Sequence, residues 1–328
     1  MAINTTKKLY ELFETDWLMQ RQNPGGSSPY LQGYLLGFTG TINILQALDP
    51  TSKAGQIKVK VGNGAVQSKK VNFTAANPQS LTPAAAAKAL EDAAFIDCKF
   101  SVDVATGRLK LTPVDTKVRW IQIYGDLAGA LNFGNCRYAE GKGSFIWPSF
   151  DGDLKSVAET EQWEEDEEIT NESPLGTPVK FTVPGRRTGT SIVLTDRISS
   201  RVAKQMINGG KWKSGTQDSP EIYEPPAASD NEPRRVDVFT YAKVFDKFNN
   251  SAGSEKFIRE RMYIGCAGRI TRTGGAGSFT DSEYTLRADS FIGEDNVERA
   301  SPRESDYTQA QWEALGMSGI IVTDWENA

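Results

Sequence analysis

The sequence predicts a mainly β protein of the α+β class: an antiparallel β-sandwich or partial barrel with one flanking helix, plus a small α+β domain. Three observations carry this. Long segments between Val236 and Ala288 alternate apolar with polar residues, the period-2 signature of half-buried strands. One amphipathic helical pattern, Ile198, Val202 and Met206 at i, i+4 and i+8, accompanies them. Between Gly40 and Gly134 the order reads β-β-α-β-β-β-α with hairpin turns, which packs as a small layered unit. A chain of 328 residues has room for about two domains.

Residues 1–39 read as an N-terminal arm. Leu9, Leu12, Phe13 and Trp17 have helical spacing, and the run from Asn23 to Pro29 then breaks regular structure. Both a free amphipathic arm and a helix folded onto its own domain fit that pattern. Residues 40–138 form the small module. Ile57, Val59 and Val61 make a strand, Val71 and Phe73 a second, and Thr82 caps a helix that begins at Pro83 and runs to Ala94. Phe100, Val102 and Val104 then turn at Thr106-Gly107 into Leu109 and Leu111. Trp120 to Tyr124 reads as a further strand, and Asp126 to Phe133 as a short helix.

Residues 139–176 are an acidic hinge region, since Glu159 to Glu172 holds many carboxylates and no base. Such a run belongs on a solvated loop or surface strand. Residues 177–293 form the second domain. A hairpin turns at Gly185 to Gly189, the helix ends at Asn208-Gly209-Gly210, and a long loop follows. The first long strand places Val236, Val238, Thr240, Ala242 and Val244 on one face and Phe239, Tyr241 and Phe245 on the other. Ile258, Met262, Ile264 and Cys266 line the second strand, and Tyr284, Leu286 and Ala288 the third, entered through Gly274 to Gly277. Residues 294–328 are a C-terminal extension with Trp312, Leu315, Ile320 and Val322.

Composition narrows the chemistry. The chain has no histidine, which removes imidazole proton transfer, Ser-His-Asp and Cys-His nucleophiles, and His-ligated zinc. Three scattered cysteines, Cys98, Cys136 and Cys266, form neither a disulfide framework nor a zinc pattern. The net charge of −5 does not suit gripping nucleic acid by its phosphates. Met1 to Tyr10 has no apolar run of a secretory leader, and no stretch reaches the length of a membrane span. The expectation is a chain made in a cytoplasm-like setting, with no catalytic residues, no cofactor, no metal and no membrane partner.

Two resemblances give this a direction. The runs GQIKVKVG, LTPAAAAKALEDA, FSVDVATGRLKLTP and IQIYGDLAGALNFG resemble the small α+β module of phage tail sheath and flagellar hook-associated proteins. The order hairpin, helix, long loop and strands ending MYIGCAGRITRTGGAGSFTDSEYTLRADSF, over residues 177–293, is similar to the phage tail tube protein family. The second resemblance implies a virion protein that assembles with itself into hexameric rings, stacked as a hollow tube for DNA. It implies other tail proteins as partners, and assembly in the cytoplasm of a bacterial host. The module at 40–138 is an addition to that plan, expected on the outside of a tube.

A conduit that does not bind its cargo would turn negative charge inward. Glu164, Glu165, Asp166, Glu167, Glu168, Asp237 and Asp246 are therefore expected to face a lumen. The acidic run also admits the plainer reading of a solvated face, and that of a cation site. Contacts between copies are expected at Leu9, Phe13, Trp17, Leu18 and Trp312, whose apolar side chains lack an obvious home in terminal segments. Arg186, Arg187, Arg234 and Arg235 would pair with the acids of a neighbour. Two alternatives stand beside the tube: another tail or hook-associated component acting as sheath or cap, and a carbohydrate-binding β-sandwich using Trp147, Trp163 and Trp212.

Overall fold

The computed structural model describes residues 9–11, 16–22, 33–62, 64–115, 121–133, 146–148, 154–171, 179–196, 201–213, 220, 222–227, 235–246, 256–273, 281–292 and 297–314. Phe13, Ile198, Arg234, Cys136 and the Gly274–Gly277 turn lie outside them. The helical reading of the arm is corrected. Leu9–Glu11 (β1) and Asp16–Arg21 (β2) are strands, both antiparallel to a segment far along the chain, with Leu9 opposite Asp246 and Arg21 opposite Val236. Trp17 and Met19 enter one core and Leu18 another. Burial of successive residues on opposite faces outweighs the i, i+4 spacing, because sheet context overrides local preference.

The small module keeps the expected order β-β-α-β-β-β-α but starts one strand earlier, in residues expected to belong to the arm: Leu35 and Phe38 are buried in the module's core. Leu35–Leu36 (β3) comes first, then Ala54–Val61 (β4), Gln67–Asn72 (β5), helix Pro83–Asp92 (α1), Cys98–Val102 (β6), Leu109–Pro113 (β7), Ile121–Tyr124 (β8) and helix Asp126–Ala130 (α2). Two three-stranded sheets form, β3-β7-β6 and β5-β4-β8. The Thr82 hydroxyl accepts from the Ala85 amide, and proline follows at the first helical position, so the cap forms as the sequence requires. Ala86, Ala87 and Leu90 turn inward onto Ile57, Val59, Phe73, Leu109 and Ile123. Val104 departs from expectation. β6 ends at Val102, and Val104 stands on the connecting turn, fully exposed.

The remaining described chain builds a nine-stranded antiparallel sheet, six strands of which curl into a half-barrel. Its strands are β1, β2, Ile146–Pro148 (β9), Leu154–Trp163 (β10), Arg187–Asp196 (β13), Val236–Asp246 (β16), Lys256–Thr273 (β17), Asp281–Ala288 (β18) and Arg303–Thr308 (β21). The order is β10-β13-β18-β17-β16-β2-β9, with β1 also on β16 and β21 on β17. Between them lie two-stranded ribbons: Glu167–Asn171 (β11) with Val179–Val183 (β12), Lys211–Lys213 (β14) with Ile222–Glu224 (β15), and Ser290–Ile292 (β19) with Glu298–Ala300 (β20). The amphipathic helix Arg201–Asn208 (α3) lays Ala203, Met206 and Ile207 on one face of the sheet, among Trp17, Val238, Tyr263 and Tyr284. On the other face Trp312, from the short helix Gln309–Ala314 (α4), covers Leu18, Phe239, Tyr241 and Met262. No helix among the described residues is long and apolar enough to cross a membrane.

One break in the alternation corrects the face assignment of β17. Ile258, Met262 and Ile264 share a face as expected, but Cys266 packs on the opposite one, beside Tyr263. The register slips there, with Val236 opposite Cys266 and Val238 opposite Tyr263. Gly265 supplies the extra residue with φ +67, a left-handed conformation that side chains disfavour. The bulge is held by Asp237, whose Oδ1 accepts from the Gly265 amide at 3.0 Å and from Gln22 Nε2 at 2.9 Å.

The two described thiols are closed off. Burial, with the negative charge of Asp97 adding to it, pushes the Cys98 thiol up to about 12. Burial likewise pushes Cys266 well above its ordinary value. A thiol held protonated and covered is unreactive. Alkylation at pH 8 followed by mass spectrometry is expected to leave Cys98 and Cys266 unmodified in the folded chain and to label both in denaturant. Native-state labelling of either would contradict the packing.

Candidate assembly surface

The hairpin leading into the large sheet continues past the sheet as a two-stranded ribbon. β10 pairs with β13 from Leu154 opposite Asp196 to Trp163 opposite Arg187, and β11 with β12 extends the same path. At the joint the Glu164 amide donates to the Arg186 carbonyl at 2.9 Å, and the Gly185 amide donates to Asp166 Oδ1 at 2.9 Å. These bonds bridge the acidic run and its returning partner where regular pairing is interrupted. The run is therefore a surface ribbon, as its composition requires.

Glu164, Glu165, Asp166 and Glu167 are exposed on this ribbon. Glu168 lies on β11 and Asp246 ends β16, and the side chains of both lie outside the described residues. Asp237 is a correction. It is fully buried at the β17 bulge, so it faces the interior of its own sheet and no lumen.

The arginines are engaged within the chain. Arg186 Nε lies 3.0 Å from Glu164 Oε1, and because both side chains are largely exposed the pair is screened by solvent. Arg187 is half-buried and more constrained. Its Nη1 lies 3.0 Å from Glu161 Oε1, and its Nη2 donates to Thr190 Oγ1 at 2.8 Å and to the Ser301 carbonyl at 2.7 Å. Glu159, 3.7 Å from the same guanidinium, accepts from the Tyr263 hydroxyl at 2.9 Å. One cation thus ties β10 to β13 and to the segment before β21, and Glu159 links that cluster on to β17 through Tyr263. Arg235 pairs with Asp289 and donates to the Gly265 carbonyl at 3.4 Å. Within the chain Arg186, Arg187 and Arg235 each meet an acid, and Arg186 and Arg235 also keep exposed surface.

Of the apolar candidates, Trp17, Leu18 and Trp312 are corrected, because all three are buried within the chain. Trp17 donates its indole N–H to Asp196 Oδ2 at 2.7 Å and meets Tyr284 edge-on at 4.7 Å between ring centroids. Leu18 and Trp312 are buried, the latter against Tyr241 and Tyr307. These three side chains close the chain's own cores and are not themselves available to a second copy. Leu9 sits on β1, with its side chain outside the described residues. Of the tryptophans suited to stacking on sugars, Trp163 is exposed, while the side chains of Trp147 and Trp212 lie outside the described residues.

Sequence reasoning missed the partners of Arg187. The available signal was Glu159 and Glu161 at period 2 on a strand, which puts two carboxylates on one side of a ladder. It also missed Glu260, a buried carboxylate that accepts from Tyr241 at 3.0 Å and from Tyr307 at 3.3 Å. Among the described residues no group of three His, Cys, Asp or Glu side chains is placed to hold a metal ion. What the arrangement offers outward is an acidic ribbon and a strand edge: among the described residues β10 ends the sheet, with a neighbour on one side only. In comparisons with known proteins, the chain matches no family model and no curated protein sequence.

Proposed function

We propose that this chain is a structural tail tube protein of a phage or phage-like particle, assembling with itself into hexameric rings stacked as a hollow conduit. The observation that carries the reading is the open half-barrel. Among the described residues its sheet stops at β10, a ten-residue strand paired along one side alone. An edge of that length is a template of N–H and C=O groups for another chain. Head-to-tail contact between identical copies closes into a ring when the rotation divides a full turn.

The exposed acids Glu164 to Glu167 support the same reading. A negative wall denies DNA the counterion release that lysine and arginine would supply, so the cargo passes without being held. Partners on this reading are further copies, other tail proteins at the ends of the tube, and DNA in transit. The site of action is the virion tail, after assembly in the bacterial host cytoplasm, and no cofactor takes part. Electron microscopy of concentrated purified protein tests it. Rings or tubes with a central hole are expected, and a solitary monomer at every concentration by analytical ultracentrifugation would overturn it.

A further inference from the structure

We propose that the small module carries its own copy-to-copy contact, in which the β6–β7 turn of one copy docks on an apolar corner at the opposite end of that hairpin in the next. The inference rests on the self-assembly reading and adds an interface to it. The turn is a stiff knob. Asp103 Oδ2 accepts from the Thr106 amide at 3.1 Å and its hydroxyl at 2.7 Å, Oδ1 lies 3.4 Å from Lys110 Nζ, and the Gly107 amide returns to the Asp103 carbonyl at 2.8 Å. Hydrogen bonds from Thr106 hold this carboxyl below the usual carboxylate range. On that scaffold Val104 stands 99% exposed. A rigid turn that presents a bare aliphatic side chain loses little entropy on docking.

The corner lies at the other end of β6 and β7, about 17 Å away at the rise of a strand. There Gln67 Nε2 donates to Asp97 Oδ2 at 2.6 Å, the Ile96 amide donates to Gln67 Oε1 at 2.9 Å, and the Val114 amide donates to the Asp97 carbonyl at 2.8 Å. These bonds gather Val66, Ile96 and Val114, which are 48%, 77% and 50% exposed. Charge matches shape. The segments that meet at the corner, 64–67, 91–99 and 113–115, carry Glu91, Asp92, Asp97 and Asp115 against Lys99, whereas the knob segment 103–110 carries Arg108 and Lys110 against Asp103. The two ends of one hairpin are thus complementary to each other and point apart. A chain cannot satisfy both by itself, and a second copy joined head to tail can.

The test uses full-length Val104→Asp and Ile96→Asp, both at exposed positions, with circular dichroism confirming the fold. Each variant alone is expected to need about tenfold or more protein for association by analytical ultracentrifugation, the loss of one buried aliphatic contact. An equimolar mixture is expected to recover a dimer, because the intact knob of one variant fits the intact corner of the other. If the wild-type chain associates and both variants associate equally well, this contact is wrong and the assembly reading survives. If the variants weaken association and the mixture recovers nothing, the head-to-tail docking is wrong. A wild-type chain that never associates removes both.

Discussion

Replacing Trp17 by alanine is expected to lower the stability of the large sheet by about 3–5 kcal/mol, read as a shift in the denaturant midpoint. The side chain lies 4% exposed between β16 and the α3 core, packed edge-on against Tyr284. Its removal leaves a cavity that neighbouring strands cannot fill without breaking their register with β2. Trp17→Phe separates the two parts of the effect. It keeps most of the ring but takes the indole donor from Asp196, itself 2% exposed, so a loss of about 1–3 kcal/mol is expected. If Trp17 instead belonged to an arm reaching for a neighbour, either variant would leave the monomer's stability unchanged and weaken association alone. An unchanged midpoint for Trp17→Ala would therefore contradict the sheet described above.

Asp237→Ala is the second large effect, at about 3 kcal/mol. Its carboxylate is the acceptor for the Gly265 amide and the Gln22 side chain inside the sheet, and a methyl group leaves both donors buried without it. The consequence reaches beyond stability. The bulge at Gly265 sets which face Cys266 occupies, so loosening it is expected to open that thiol to alkylation while Cys98, in the other core, stays closed. Asp237→Asn retains an oxygen acceptor and is expected to lose less than about half as much. Cys266 remaining as protected in Asp237→Ala as in wild type would show that the carboxylate does not hold the bulge.

Much of the small module was legible because local and global signals agree there. Thr82 and Pro83 ahead of an alanine-rich run are a local helix start, and alternating Ile57, Val59 and Val61 admit one buried face. The long strands were legible for the same reason. The terminal segments were not. Leu9 to Trp17 has helical spacing, and only the partner strand β16, distant in sequence, makes β2 extended; no local window contains that partner. Cys266 was misplaced because period-2 reasoning assumes an unbroken pleat, and one glycine at positive φ inverts it. The acidic run was correctly expected at the surface from charge alone. Its pairing with Arg186 and Arg187 was hidden because it depends on the β10–β13 register, which the sequence does not spell out residue by residue.

The pairing of β2 with β16 also sets an order of events during synthesis. The hydrophobic stretch around Trp17 leaves the ribosome roughly two hundred residues before the strand that shelters it, a delay of about 10–40 s at ordinary elongation rates. The module between them has a complete core of its own and can form in that interval, with the leading segment left to wait. A nascent chain in this state carries a sticky, unpaired β-forming tip beside a finished domain. Polysomes packed with such chains would be prone to cross-pairing, so slow release or a holding chaperone during translation would favour correct maturation.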